Sequence, residues 1–130
     1  MKINAHLHHA AELRRAILGL DESDIELIIE GAMLAGTHYM NAGVHMLGAT
    51  LADEDIVHAE FMNGAQVATL NPACLRMWQA LFVVEGLRAW YVRGDEASDK
   101  GVLQRVFMCL EILRSESEAI YQSQHKGGLT

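Results

Sequence analysis

The chain has 130 residues, of which 51% are hydrophobic and 21% charged, and a single proline. This length is typical of one domain, and the composition excludes a disordered or fibrous protein, so we predict a single domain over residues 1–130. The net charge is −7 at pH 7, and no lysine or arginine occurs between Ala16 and Leu75. Because phosphate backbones are bound by clustered cations, this argues against a nucleic-acid partner.

The most hydrophobic stretches, Ile25–Leu51 and Leu70–Val92, are interrupted by charged residues and histidines that a bilayer span tolerates poorly. The first residues show no apolar core of a signal peptide. Cys74 and Cys109 lie in apolar helical surroundings, as expected for buried thiols in a reducing compartment. These features predict a soluble, cytoplasmic protein without a membrane partner.

Two helices are predicted in the first part of the chain. Helix one covers Asn4–Leu18 by the spacing of its apolar residues, and Gly19 favours its end. Ser23 and Glu26, three residues apart, are typical of a capping box that would begin helix two. This second helix is predicted to continue to about Leu47.

A long connection and a third helix follow. Ala52–Leu70 is polar, and we predict one helical turn within it, around Asp53–Met62. Asn71 and Pro72 are the residue types preferred at an N-cap and in the first turn of a helix. Helix three is therefore predicted from this point to about Arg93.

Helix four is predicted to begin at Ser98 or Asp99 and to end at about Gln124. Its apolar residues recur at helical spacing and form one stripe. No segment has the alternating pattern of a strand. The predicted fold class is all-α: an antiparallel up-down bundle of four main helices, with a long connection between helices two and three.

The two central helices differ in composition from the outer two. Helix three is apolar almost all round, which requires cover on every side and predicts a homodimer that buries part of it. Helix two is rich in glycine and alanine, including Gly31, Gly36 and Gly43. Small residues permit close approach of a neighbouring helix, a partner subunit or a ligand, and the sequence leaves these three alternatives open.

Polar residues on the central helices form the first candidate site. His38, Asn41 and His45 are spaced three and four apart and lie on one stripe of helix two. Glu85 and Arg88 stand in the apolar helix three, where we expect them to pair with each other or across an interface. The five residues are predicted to bind a small ligand. The alternative is that the stripe fixes helix register through interhelical hydrogen bonds.

The second candidate site is a metal site in the connection. Asp55 and His58 are three residues apart and share a face if the segment after helix two is helical. If this segment also folds back, His45 joins them in a histidine–carboxylate set with an open position, and Glu54 could act as a base. The alternative is a turn with capping acids. Histidines at the start of helix one are expected to be solvated; they are His6, His8 and His9.

The run from Gly36 to Gly48, with its small residues and histidine-bearing face, together with two long central helices, resembles the HEPN-type bundles. Those families are commonly dimeric, and many are RNases that use an arginine and a histidine with four to six residues between them. This motif does not occur after any arginine of the chain. The resemblance therefore implies a dimeric bundle with a binding or regulatory role, and no catalytic residue.

Taken together, these patterns favour a dimeric helical bundle that binds a small molecule or a protein partner without catalysis and without a cofactor. The competing interpretation is a metal-dependent enzyme that uses a divalent transition metal at the site in the connection.

Overall fold

Four α-helices make up the regular structure of a computed structural model that describes residues 1–59, 62, 70–92, 94 and 100–127. Among these residues there is no strand, and the predicted all-α bundle of four helices is confirmed. The helices are α1 (Ile3–Leu18), α2 (Ile25–Met46), α3 (Pro72–Tyr91) and α4 (Lys100–Gly127).

The N-terminal ends of α2 and α3 are capped differently. Asn71 caps α3 by accepting a hydrogen bond from the backbone N–H of Cys74 at 2.9 Å, as predicted. The capping box predicted for α2 is wrong. The Ser23 N–H donates instead to the Asp21 carboxylate at 2.8 Å, and this turn moves the N-cap to Asp24, which makes no side-chain cap bond.

Two other predicted helix ends differ from the structure. Helix α3 ends at Tyr91 with Val92 as its C-cap, and the predicted end at Arg93 lies outside the described residues. Helix α4 continues to Gly127, beyond the end predicted near Gln124. Its predicted start at Ser98 or Asp99 also lies outside the described part of the chain.

Helix α2 lies at the centre and packs against α1, α3 and α4, and α3 packs against α4. Its glycines face neighbouring helices. A Cβ at Gly31 would overlap Ile17 of α1, and a Cβ at Gly43 would overlap Met77 of α3. Neighbouring helices of the same chain therefore explain the small residues of α2, without a partner subunit or a ligand at these positions.

Helix α3 is buried on one side only. Met77, Leu81 and Val84 are fully buried against the core, whereas Phe82 and Trp90 on the other side are 48% and 63% exposed. The chain itself therefore covers half of this apolar helix. None of the described helices combines the length and the hydrophobicity that crossing a membrane requires.

The connection after α2 folds back over the bundle and is not helical over residues 53–58, but a 3₁₀ turn begins at Ala59, whose carbonyl accepts from the Met62 N–H at 3.1 Å. The helical turn predicted around Asp53–Met62 is therefore found only at its end, and backbone groups before it bind side chains of α2 and α3. Both backbone groups of Ile56 bind the Asn41 amide, at 2.7 Å each. The Ala59 N–H donates to Glu85, and its carbonyl accepts from the Trp78 indole. These bonds fix Asp55 against the N-terminal half of the bundle.

Candidate metal centre

The first residue of the site is His6, on the buried side of α1. Its side chain is 2% exposed, so the prediction that it is solvated is wrong. The signal was present in the sequence, because His6 lies in helical register with Ala10 and Ile17, which are also buried. The ring bridges two groups: Nε2 lies 2.9 Å from Asp55 Oδ1, and Nδ1 lies 2.9 Å from His38 Nδ1.

The second residue is His45, in the last turn of α2. Its Nε2 lies 2.8 Å from the same oxygen, Asp55 Oδ1, and its Nδ1 lies 2.6 Å from Thr50 Oγ1. Its ring centroid is 5.3 Å from that of His6, and the planes are inclined by 42°. Two imidazoles from different helices therefore converge on one carboxylate oxygen from the connection.

Asp55 completes the cluster. It is positioned by the adjacent Ile56, whose backbone is clamped to α2 by Asn41. The ammonium group of Met1 lies 3.2 Å from Asp55 Oδ2 and also binds the Ala52 carbonyl. The carboxylate therefore meets positive or hydrogen-donating groups from three directions, and its side chain is still 34% exposed.

The electrostatic environment favours the charged form of Asp55 and the neutral forms of His6 and His38. Burial raises the pKa of Asp55, but hydrogen bonds from the two imidazoles and the N-terminal ammonium outweigh this effect and bring the pKa to about 2. Burial lowers the pKa of His6, and the neighbouring carboxylate only partly offsets the decrease. Burial also lowers the pKa of His38, and nearby histidine rings add to the decrease. These directions suit metal binding, which needs an ionised carboxylate and unprotonated imidazoles.

The donor atoms have the spacing of a metal site. His6 Nε2, His45 Nε2 and a carboxylate oxygen of Asp55 all lie within 4.8 Å of one another. Ligand atoms around a tetrahedral zinc ion lie about 3.3 Å apart, so Asp55 would withdraw by about half an ångström to admit the ion. Three protein ligands of this kind leave a coordination position for water or a ligand.

The outer nitrogen of each imidazole meets a partner that can either donate or accept a hydrogen bond. These partners are His38 Nδ1 for His6 and Thr50 Oγ1 for His45. Without an ion, the Nε2 atoms carry protons that they donate to Asp55. If an ion bound, the proton of each imidazole would lie on Nδ1 and be donated outward, as is usual for metal-bound histidines. The surrounding groups therefore accommodate both tautomers.

Of the residues predicted for a metal, the structure brings together His45 and Asp55 but not His58. The His58 Nδ1 lies 3.5 Å from the Glu85 carboxylate instead, because the segment that carries it is not helical. Glu54, predicted as a possible base, accepts a hydrogen bond from the Leu51 N–H at 3.1 Å and closes a turn. The residue that sequence reasoning missed is His6.

The residues predicted for a small ligand are divided between two environments. His38, Asn41 and Arg88 line a groove of about 420 Å³ beside the cluster. His45 faces the cluster itself. Glu85 binds the connection.

The expected pairing of Glu85 with Arg88 is wrong. The Arg88 Nε donates to Glu30 of α2 at 2.6 Å, whereas Glu85 accepts from the Ala59 N–H at 2.8 Å. Both charges are therefore compensated within the chain. Neither needs an interface for this purpose.

Searches against protein-family models, curated proteins and solved structures found no match to this chain. The resemblance to HEPN-type bundles therefore stays a prediction, and function has to be argued from the site.

Proposed function

We propose that this protein binds a divalent transition metal through His6, His45 and Asp55, and that the bound ion takes part in holding a small ligand in the adjacent groove. The observation that supports this most directly is the convergence of both Nε2 atoms on Asp55 Oδ1, at 2.9 and 2.8 Å. Imidazole and carboxylate donors suit Zn²⁺ and Fe²⁺, and zinc is the first probe.

Burial of the two histidines supports the proposal independently of distance. The side chains of His6 and His45 are each 2% exposed, so neither can move far to find another partner. Two imidazoles and an amide could also serve only to fix the register of α1, α2 and the connection. That structural role explains the hydrogen bonds of Asn41 to Ile56. It does not by itself explain why two histidines share one carboxylate oxygen.

The test is zinc binding by protein from which any affinity tag has been removed. Isothermal titration calorimetry should give one zinc ion per chain. The substitutions His6→Ala, His45→Ala and Asp55→Asn should each weaken binding by at least about a hundredfold, since each removes a ligand.

Two histidines provide matched controls for this experiment. His8 is exposed on the same helix as His6, and His58 lies on the same connection as Asp55. The substitutions His8→Ala and His58→Ala should leave zinc affinity unchanged. If His58→Ala abolished binding and His6→Ala did not, the ligand set expected from the sequence would replace the present one.

A hydrolytic enzyme is the second candidate function. It is favoured by the number of protein donors, because catalytic zinc sites combine three protein ligands with an open position for water. Zinc-loaded protein should then hydrolyse an activated ester such as p-nitrophenyl acetate faster than Asp55→Asn does. The zinc-loaded His8→Ala control should hydrolyse it at the native rate. A rate equal to that of Asp55→Asn would leave binding as the function.

We also propose that the protein forms a homodimer through the outer face of α3. The exposed residues of this helix beyond Arg76 carry no charge, and Gly86 among them leaves open space that a partner's side chain could enter. They are Gln79, Phe82, Val83, Gly86, Ala89 and Trp90. Sedimentation equilibrium should give a dimer, and Val83→Glu should give a folded monomer. A monomeric native protein at high concentration would contradict the proposal.

A further inference from the structure

The groove beside the metal cluster has a definite length. Its floor is a stripe of α2 that runs from Glu30 to Asn41, and its opposite wall is the connection from Asp55 to His58. Glu30 precedes His38 by eight residues, which corresponds to about 12 Å along a helix. The volume of about 420 Å³ lies within the range of small-molecule sites.

The groove has charged groups at both ends and a mostly apolar surface. One end is lined by His6 and Asp55 of the cluster, and the other by Glu30 and Arg88. The remaining lining combines the apolar side chains of Met33, Leu34, Ile56 and Val57 with the polar side chains of Thr37, His38, Asn41 and His58. A ligand that fits this pattern has a polar group at each end and an apolar body between them.

Arg88 is presented as a binding group at the far end. Its Nε donates to Glu30 at 2.6 Å, and this is the only hydrogen bond found for its side chain among the described residues. The two terminal NH₂ groups are therefore left for a ligand. A guanidinium held in place in this way is well suited to a carboxylate, because its N–H groups match the two carboxylate oxygens.

The groove gains positive charge when an ion binds. Without an ion, Asp55 and Glu30 are balanced by Arg88 and by the Met1 ammonium, which lies 3.2 Å from Asp55 Oδ2. A divalent ion adds two positive charges to this balance. The groove of the metal-bound protein therefore favours an anion, and the ion itself offers a coordination position to a carboxylate oxygen.

We propose that the groove binds an elongated organic diacid. One carboxylate coordinates the ion held by His6, His45 and Asp55, an apolar chain lies along α2, and the second carboxylate binds Arg88. This inference rests on the metal function proposed above.

Octanedioate is a suitable probe, because its two carboxylates lie a comparable distance apart when the chain is extended. Calorimetry on the zinc-loaded protein should show that it binds at least about tenfold more tightly than octanoate, which lacks the second acid. Its affinity should exceed that of butanedioate, which is too short to reach both ends, by a similar factor. Without zinc, its affinity should fall by about tenfold or more.

Two variants test the far end of the groove. Arg88→Gln should weaken the binding of octanedioate by about tenfold and leave the affinity for octanoate unchanged. The matched control is Arg105→Gln, on the exposed side of α4. Leu34 is 47% exposed, so Leu34→Glu should be tolerated by the fold. It places a negative charge beside the apolar chain and should also weaken binding of the diacid.

The outcomes separate this inference from the proposed function. If zinc binds to the cluster but octanedioate binds no more tightly than octanoate, the proposed diacid ligand is wrong and the proposed metal site is retained. If octanedioate binds equally well to Arg88→Gln, the far end of the groove has been assigned wrongly. If zinc does not bind in the cluster, the proposed function itself fails.

Discussion

The two faces of α2 are packed with different chemistry. Toward α3 and α4, Gly36 and Gly43 lie directly against apolar side chains of those helices. Toward α1 and the connection, His38, Asn41 and His45 make hydrogen bonds to His6, Ile56 and Asp55. One helix thus has an apolar face that stabilises the bundle and a polar face that gathers ionisable groups.

This difference is the basis for placing the proposed function on one face. Apolar side chains of similar volume stabilise a protein interior at least as well as buried polar groups, and they need no matching partners. The apolar face packs α2 against α3 and α4, and the apolar contact of Ile17 with Gly31 packs α1 against α2. We therefore assign binding to the polar face, and we expect substitutions on the two faces to have separate effects.

The largest effect is expected on the apolar face. Leu113 of α4 is fully buried and contacts the position of Gly36. Leu113→Ala should lower the free energy of unfolding by about 3 kcal/mol, measured by urea denaturation, because it leaves a cavity. Zinc affinity of the folded protein should not change. A loss of zinc binding in the folded variant would show that the two faces are coupled.

A somewhat smaller effect is expected at Asn41, which links the polar face to the connection. The residue is 1% exposed, and it donates to and accepts from the backbone of Ile56. Asn41→Leu leaves both backbone groups without this partner and should cost about 2 kcal/mol in urea denaturation.

Asn41→Leu should also weaken zinc binding, because Asp55 directly precedes Ile56, whose backbone would no longer be held by Asn41. Thr37→Val, one turn earlier on the helix, removes only a bond to the backbone of α2 and is the control. An Asn41→Leu protein with native zinc affinity would mean that Asp55 is positioned by other contacts.

A third effect is the pH dependence of stability in the metal-free protein. The folded-state pKa values of His6 and His38 lie below the ordinary value of 6.5. As the pH falls below that value, the unfolded chain binds protons before the folded protein does. The free energy of unfolding should therefore decrease, by at most about 1.4 kcal/mol per pH unit for each histidine.

The carboxylate acts in a lower pH window. The pKa of Asp55 is about 2, so its contribution is present above the unfolded value and is lost as the pH falls from about 4 toward 2. In urea denaturation, the free energy of unfolding of His6→Gln should decrease less steeply as the pH falls from neutral than that of the exposed-site variant His8→Gln. Equal slopes would show that His6 does not titrate as the environment requires.

The smallest effect is expected at Ser117 of α4. Within the described residues, its hydroxyl is the buried side-chain group for which no hydrogen-bond partner is found. Ser117→Ala should raise the free energy of unfolding by up to about 1 kcal/mol, since it removes an uncompensated polar group. Ser115→Ala, on the exposed side of the same helix, should have no effect. A destabilised Ser117→Ala protein would indicate that a water molecule serves this hydroxyl.

Most of the fold could be predicted from local sequence. The period of the apolar residues and the Asn71–Pro72 start gave the four helices, because helix formation depends on neighbours in the chain. The small residues of α2 predicted close contact, but the contacting helices could not be named. That choice depends on how distant segments pack.

The site was predictable only in part for the same reason. His38, Asn41 and His45 were recognised because their helical spacing places them on one stripe. His58 was assigned to the cluster on the assumption of a helical turn, which the hydrogen bonds of Ile56 and Ala59 replace. His6 was missed because its partner lies 49 positions away in the chain.

The most direct test of the account is the position of a bound ion. Crystals of the untagged protein grown with zinc, measured at the zinc absorption edge, should show an anomalous peak between His6 Nε2, His45 Nε2 and an Asp55 carboxylate oxygen, at about 2.0–2.2 Å from each. A strongest peak at His8, His58 or His125, with none in the cluster, would contradict the central claim.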